Sequence, residues 1–340
     1  MINRMEMYDF LAIGDTVTDA FIRLKDASVH CDINQEHCTI SMRFGDKIPY
    51  EEVYVIPAVG NSANAASAAA RLGLKTAFLS NIGDDYFGTE CLNALKAEGI
   101  ATDFVTINKG IKTNYHYVLW YEDDRTILVK HEQYPYTLPD INTPRWIYLS
   151  STGEHALDFH TALGAYLLAH PEIKLAFQPG TYQMQFGTEV LRGIYRRTEV
   201  FVCNKEEAER ILKSDEEDVK VLMQDLAKLG PKIVIITDGP KGAYAFDNSA
   251  ASATAGKFFF MPSYPDPKPP FERTGAGDAF ASTVTIALAL GKDLVEALRW
   301  GPINSMSVVQ QVGARAGLLT RPQLEEYLRN APKDYGVKEI

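Results

Sequence analysis

Residues 232–242 read Lys-Ile-Val-Ile-Ile-Thr-Asp-Gly-Pro-Lys-Gly, and this stretch decides the fold. From Ile233 to Thr237 every side chain is apolar or β-branched, with no polar residue at alternate positions. A strand wet on one side alternates; a strand that does not alternate is covered on both sides, as in a parallel sheet sandwiched by helices. The strand runs into Thr237-Asp-Gly-Pro-Lys-Gly242, a Gly-rich turn. Nucleotide phosphates often lie at such strand ends in α/β sheets, although an ordinary tight turn reads the same way.

Working outward, segments of the same buried type recur at 8–13, 75–79, 146–149, 174–177 and 200–203, and most are followed by a helical pattern. The Ala-rich stretch 62–72 reads as a helix with Ser62 as N-cap and Gly73 as terminator, and 89–98 as a second helix closed by Gly99. This alternation predicts an α/β fold with a mostly parallel central sheet and helices on both faces. Two regions interrupt it. Residues 16–58 hold strand-like pieces and no good helix. Residues 113–131 read as a hairpin turning at 122–125, since aromatic and β-branched residues flank a polar turn. Together they predict a small inserted β-sheet, or lid (16–58 and 113–131), on a core made of 1–15, 59–112 and 132–340. The Pro-rich 262–270 is a loop.

The chain has 340 residues, 46 % hydrophobic and 23 % charged, enough to bury a large core. A formal net charge of −10 argues against nucleic acid as a partner. No run of 18 apolar residues occurs, so no membrane partner is expected, and the first fifteen residues are too interrupted for a signal peptide. Cysteines at 31, 38, 91 and 203 are scattered, a pattern that suits a reducing cytoplasm better than a disulfide framework.

The chemistry concentrates at Glu272-Arg-Thr-Gly-Ala-Gly-Asp-Ala-Phe280. Gly275, Ala276 and Gly277 open directly into an apolar helix. Small residues let backbone amides converge, and the helix start adds unpaired N–H groups and a positive dipole end. This is an anion hole suited to a transferring phosphoryl group. Asp278, in the first turn, can take the proton of an attacking hydroxyl. The blander reading is a helix start with a good first-turn Asp. At the end of another strand, Asn204 and Glu207 are three apart. Glu207 can hold waters of Mg²⁺, or the two can form a capping box. Near the N-terminus Asp15 can accept two sugar hydroxyls or cap the turning chain. Gly60, Asn61 and Asn64 precede or begin the Ala-rich helix and suit a polyol. Neither a GxxxxGK[ST] loop nor a GxGxxG after a strand is present.

These segments, in this order from about 8 to 319, resemble the ribokinase-like (PfkB) carbohydrate kinases. PAVGNSANAASAAARLG (57–73) with LSNIGDDYFG (79–88) is similar to the family's first signature, and ERTGAGDAFASTV (272–284) to its second. The resemblance implies a three-layer α/β/α ribokinase-like fold with a β-lid. It implies transfer of the γ-phosphoryl of ATP to a hydroxymethyl group, with Asp278 as base and the 275–277 amides stabilising charge. Asp15, Gly60, Asn61 and Asn64 would bind substrate. Asn204, Thr237, Gly239, Gly242 and Asn304 would bind ATP, and Glu207 would organise Mg²⁺. Lid closure would exclude water. The sequence departs from the family at Val59, where a second Gly is usual, and at Asn61. It departs again at Glu272, where many members carry an Asp that helps bind a monovalent cation. Glu272 is longer than that Asp, so the resemblance implies ATP and Mg²⁺ as cofactors and leaves potassium open.

The expected acceptor is a ribose- or fructose-like sugar. Tyr115, Tyr117, Trp120 and Tyr121 keep a nucleoside open, although packing within the lid or at a dimer seam explains them as well. Lys112, Arg125 and Lys130 keep a sugar phosphate open against a solvated charged face. A non-catalytic sensor is disfavoured by the intact Gly-Ala-Gly-Asp. The steps His30-Cys31 and His37-Cys38 match no common zinc spacing. An exposed lid edge points to a homodimer.

Overall fold

The computed structural model describes residues 7–31, 38–122, 124–249 and 254–340. The strands are β1 (Phe10–Ile13), β2 (Val17–Leu24), β3 (Ser28–His30), β4 (Thr39–Ser41), β5 (Tyr50–Val59), β6 (Thr76–Gly83), β7 (Ala101–Asn108), β8 (Tyr115–Tyr121), β9 (Asp124–Leu128), β10 (Trp146–Leu149), β11 (Lys174–Phe177), β12 (Thr198–Asn204), β13 (Ile233–Thr237), β14 (Ala243–Asp247), β15 (Phe258–Met261) and β16 (Lys338–Glu339). The helices are α1 (Asn61–Arg71), α2 (Tyr86–Ala97), α3 (Leu157–Ala169), α4 (Thr181–Phe186), α5 (Arg192–Arg197), α6 (Lys205–Leu212), α7 (Val219–Lys228), α8 (Ala276–Ala289), α9 (Leu294–Val308) and α10 (Arg321–Arg329).

A ten-stranded sheet runs in the order β16-β15-β14-β13-β12-β11-β10-β1-β6-β7. Every pairing from β13 across to β7 is parallel, and β14, β15 and β16 add antiparallel strands at one edge. The expected α/β fold with a mostly parallel central sheet is therefore what forms. Non-alternating strands feed both faces. Phe10 and Ala12 of β1 and Ile235 of β13 pack under α1, α8 and α9. Leu11 and Ile13, with Val234 and Ile236, pack under α3, α5, α6 and α7. The alanines of α1 are almost all buried, and their small side chains let α1 lie closely against α8. That close approach brings the start of α1 to the start of α8.

A second, four-stranded sheet has the order β5-β2-β8-β9 and is antiparallel except for β2 with β8. Its strands come from the two regions that broke the alternation. Phe21, Val118 and Trp120 are buried on one face, and β3 pairs with β4 as a separate ribbon.

Three local expectations are corrected. Ser62 does not cap α1. The helix starts one residue earlier, after Gly60, and the Ser62 hydroxyl donates to the Ile13 carbonyl at 2.6 Å, tying α1 to β1 instead. The second helix starts earlier than 89, because the Asp85 carboxylate accepts from the Gly88 amide and caps the chain there. Cys31 and Cys38 are joined as a disulfide, contrary to four free thiols, while Cys91 and Cys203 are free and buried. Two bonded sulfurs are not thiolate ligands, and the described residues hold no cluster of three or more metal-binding side chains. Of the two histidines in that grouping, His30 is exposed in β3 and His37 lies outside the described residues.

Candidate active site

Asp278 lies in the first turn of α8, whose N-cap is Gly275 at φ 80°. Its carboxylate accepts from Asn64 Nδ2 of α1 at 2.9 Å on Oδ2 and from Gln178 Nε2 at 3.1 Å on Oδ1. Gln178 follows β11, and the Tyr148 hydroxyl of β10 donates to its Oε1. The tyrosine thereby sets which end of the amide faces Asp278. Burial pushes the Asp278 carboxyl above the ordinary range, against the pull of the two amide donors. A carboxylate held in that way is fixed in direction and raised in basicity, the two properties a general base needs.

The Gly275–Gly277 turn is braced from behind. The Ser305 hydroxyl of α9 donates to the Ala276 carbonyl at 3.0 Å, and Glu272 accepts from the Thr274 amide at 2.7 Å. The position a Cβ would take on Gly277 meets nothing within 4 Å, so the turn presents an open backbone surface there.

Asn204 and Glu207 do form the capping box. The Asn204 amide donates to Glu207 Oε2 at 2.9 Å, and the Glu207 amide to Asn204 Oδ1 at 2.8 Å. Burial pushes the Glu207 carboxyl up, the Asn204 amide and Arg210 oppose this, and the charge of Asp278 adds to it. The box therefore sits within electrostatic reach of Asp278. Asn204 pairs with Thr237 at the ends of β12 and β13, and a short turn over Gly239–Lys241 leads to Gly242.

Asp15 follows β1 with its carboxylate already engaged by a side chain. Its two carboxylate oxygens accept from the Tyr136 hydroxyl at 2.9 and 2.8 Å, and His131 Nδ1 lies 3.7 Å away. Gly60 abuts the Asp15 carbonyl, which joins the first strand to the start of α1. Asn61, the first residue of α1, is partly exposed. Asn304 is fully buried: its Nδ2 donates to Thr283 at 2.8 Å and its Oδ1 accepts from the Leu319 amide at 2.9 Å. Both ends of that amide hold α8, α9 and the 319 loop together. A cleft of about 390 Å³ between α9, Pro267–Lys268 and α10 shares no lining residue with the Asp278 group.

Sequence reasoning missed Asp19, His116, His131, Tyr136 and Gln178. On the inner face of the small sheet, Asp19 of β2 faces His116 of β8 at 3.4 Å, and the rings of His116 and His131 lie 5.3 Å apart. Asp19 Oδ1, His116 Nε2, His131 Nδ1 and Asn64 Oδ1 are buried without a hydrogen-bond partner. Orphaned buried polar atoms are costly unless a ligand satisfies them. The period-2 pattern of β2 could have flagged Asp19 as inward-facing, and Gln178 stands at a parallel strand's C-terminal end, where ligands gather.

Comparison with known proteins agrees with this architecture. Residues 26–321 match the family described as pfkB family carbohydrate kinase. The chain is 29 % identical over 285 residues to a ribokinase of Bacillus subtilis, covering 79 % of this chain and 87 % of that one. It is 28 % identical over 260 residues to a cytidine kinase of Thermococcus kodakarensis, covering 75 % and 88 %. The structure of Arabidopsis thaliana ribokinase complexed with ribose and ATP superposes with a TM-score of 0.76 at 19 % identity, over 95 % of this chain and 99 % of that one.

Proposed function

Because this chain belongs to the pfkB family of carbohydrate kinases, we propose that it moves the γ-phosphoryl group of ATP to the hydroxymethyl group of a small ribose- or fructose-like sugar, with Asp278 as the base. The observation that carries this reading is the Asp278 carboxylate itself: partly buried, raised in basicity, aimed by Asn64 and Gln178, and set in the first turn of a helix that opens on Gly275-Ala276-Gly277. Asp278 accepts the hydroxyl proton as the oxygen attacks phosphorus. The amides at the start of α8 face the charge that grows on the phosphoryl oxygens.

The sugar's other hydroxyls have partners at hand. Asn64 Oδ1, Asp19 Oδ1 and His116 Nε2 can satisfy a polyol and be satisfied by it. Asp15, with Gly60 and Asn61 beside it, holds the neighbouring wall through Tyr136. The small sheet acts as a lid over this group and keeps water from the phosphoryl. ATP lies along Asn204, Thr237, Gly239 and Gly242. Glu207, a single carboxylate within electrostatic reach of Asp278, suits an ion held mostly through water and phosphate, as Mg²⁺ is. When bound, Mg²⁺ neutralises charge on the transferring phosphates. The test is an ADP-release panel of sugars, sugar phosphates and nucleosides, and turnover of a pentose or ketohexose is the expected result. Silence across the whole panel sinks the reading. A nucleoside acceptor is the second reading, favoured by the cytidine kinase relative; cytidine or adenosine outpacing every sugar would establish it.

The homodimer belongs to the same proposal. The outer face of the small sheet exposes Val53 (39 %), Val55 (51 %), Tyr117 (49 %) and Leu128 (51 %) side by side across the register. A sheet face this apolar is covered by a second copy. Light scattering at micromolar concentration should report a dimer, and Val55→Glu should give a monomer of unchanged secondary structure. A wild-type protein that scatters as a monomer removes the dimer.

A further inference from the structure

Glu272 precedes the anion-hole turn by two residues and is only 1 % exposed. Burying a carboxylate costs several kcal/mol unless it is paired and hydrogen-bonded. Its Oε1 accepts from the amide and hydroxyl of Thr274, the residue before Gly275, and its Oε2 lies 3.4 Å from the Gly313 amide. The positive charge beside it comes from Arg125 of β9, whose Nε stands 3.7 Å from Oε1. This is an ion pair between the small sheet and the brace of the anion hole.

The small sheet docks on the same brace at other points. Trp120, the register partner of Arg125, meets Phe271 edge-on at 5.1 Å, with the Arg23 guanidinium 4.9 Å from the Trp120 ring. Ile56 of β5 closes over Gly313, and Arg315 donates to the Pro57 carbonyl at 2.6 Å. Ala314 in turn lies against Gly275. The segments 271–275 and 313–315 are thus gripped by the sheet, and they shape the start of α8.

The family resemblance raises a monovalent cation at the Glu272 position, and the residues present do not fit one. Both Glu272 oxygens are engaged by donors. The Val309 carbonyl alongside already accepts from the amides of Phe271 at 2.8 Å and Glu272 at 3.2 Å. A guanidinium, not a bare ion, faces the carboxylate.

Building on the kinase reading, we infer that Arg125 is a positioning residue that takes the charge-balancing place of a monovalent metal ion behind the anion hole, so that docking of the small sheet and ordering of the Thr274–Gly277 turn are one event. Turnover then needs no potassium. A cation tethered to the sheet acts only when the sheet is down, which ties phosphoryl stabilisation to exclusion of water.

The test compares wild type, Arg125→Ala and Arg125→Lys, each assayed for ADP release and for melting temperature in potassium, guanidinium and tetramethylammonium chlorides. Wild type should turn over and melt alike in potassium and tetramethylammonium. Arg125→Ala should lose roughly 10- to 100-fold in kcat, as expected when a catalytic array is displaced slightly, and should recover in part with guanidinium or potassium. Arg125→Lys should keep an intermediate rate. A structural role alone would lower the melting temperature of Arg125→Ala and leave kcat below that temperature untouched. Selective activation or stabilisation of wild type by potassium overturns the inference, and so does a wild-type kcat in Arg125→Ala. If no acceptor is phosphorylated, the kinase reading fails by itself and melting decides. Unchanged melting of Arg125→Ala then overturns the coupling; a fall reversed by guanidinium sustains it.

Discussion

Asp278→Asn should lower kcat by at least about 10³-fold while leaving the fold intact. The substitution keeps the size of the side chain and removes its charge together with its ability to take a proton. It also leaves the local hydrogen bonds repairable. Asn64 Oδ1 is buried without a partner, so a flipped Asn64 amide can accept from the new side chain while Gln178 still donates to its carbonyl. The stability effect has the opposite sign to the activity effect. Burial raises the folded-state pKa of Asp278 above its unfolded value. A carboxyl shifted upward contributes stability that is fully present below the unfolded pKa and is lost as pH rises through the folded one. At neutral pH the ionised carboxylate is therefore a burden on the ligand-free protein, and Asp278→Asn should melt no lower, and on this argument higher, than wild type. The kcat of wild type should rise with pH through a pKa above the usual carboxylate range, and the variant should lack that limb. Near-wild-type turnover in Asp278→Asn would remove the base assignment; a large loss of melting temperature would show that the carboxylate's charge is stabilising.

Gly275→Ala and Gly277→Ala should separate stability from chemistry at the same turn. Gly275 sits at φ 80°, and a Cβ there would stand 2.2 Å from the Ala314 Cβ and 2.7 Å from its Cα. The left-handed backbone costs an L-residue roughly 1 kcal/mol, and the overlap with backbone adds about 1–3 kcal/mol. Gly275→Ala should therefore lose stability, seen as a lower denaturant midpoint, and should lose at least about 10²-fold in kcat because the turn must move. A Cβ on Gly277 meets nothing within 4 Å. Gly277→Ala should hold its denaturant midpoint, yet its methyl group projects where a phosphoryl group would come, and kcat should fall. Equal kcat in wild type and Gly277→Ala would place the phosphoryl elsewhere.

Much of the candidate site could be read from the chain because it is built from strand ends and helix starts. Gly275–Asp278, Asn64, Asn204, Glu207 and Thr237 all stand where a local pattern changes, and such changes are visible in one dimension. The residues that were missed lie elsewhere. Gln178 reaches Asp278 from 100 positions away in sequence, and Tyr136 reaches Asp15 from 121. No spacing links them. Asn304, which the resemblance puts at ATP, is likewise tied to distant segments: its amide donates to Thr283 and accepts from the Leu319 amide.

The chain by itself pointed to the sheet and its covering, since four successive apolar residues, Ile233–Ile236, suit a strand covered on both faces and the segments around it alternate with helical patterns. It also determined where an anion hole can form, because glycine and helix-start amides are local features. Only the tertiary structure decided what faces what. It set the Asn64–Asp278–Gln178 alignment, the turning of Asp15 toward Tyr136, and the approach of Arg125 to Glu272. Those contacts join segments far apart in sequence, and their geometry follows from how the packed layers bring α1, α8 and the small sheet together, a quantity that no local pattern of residues encodes.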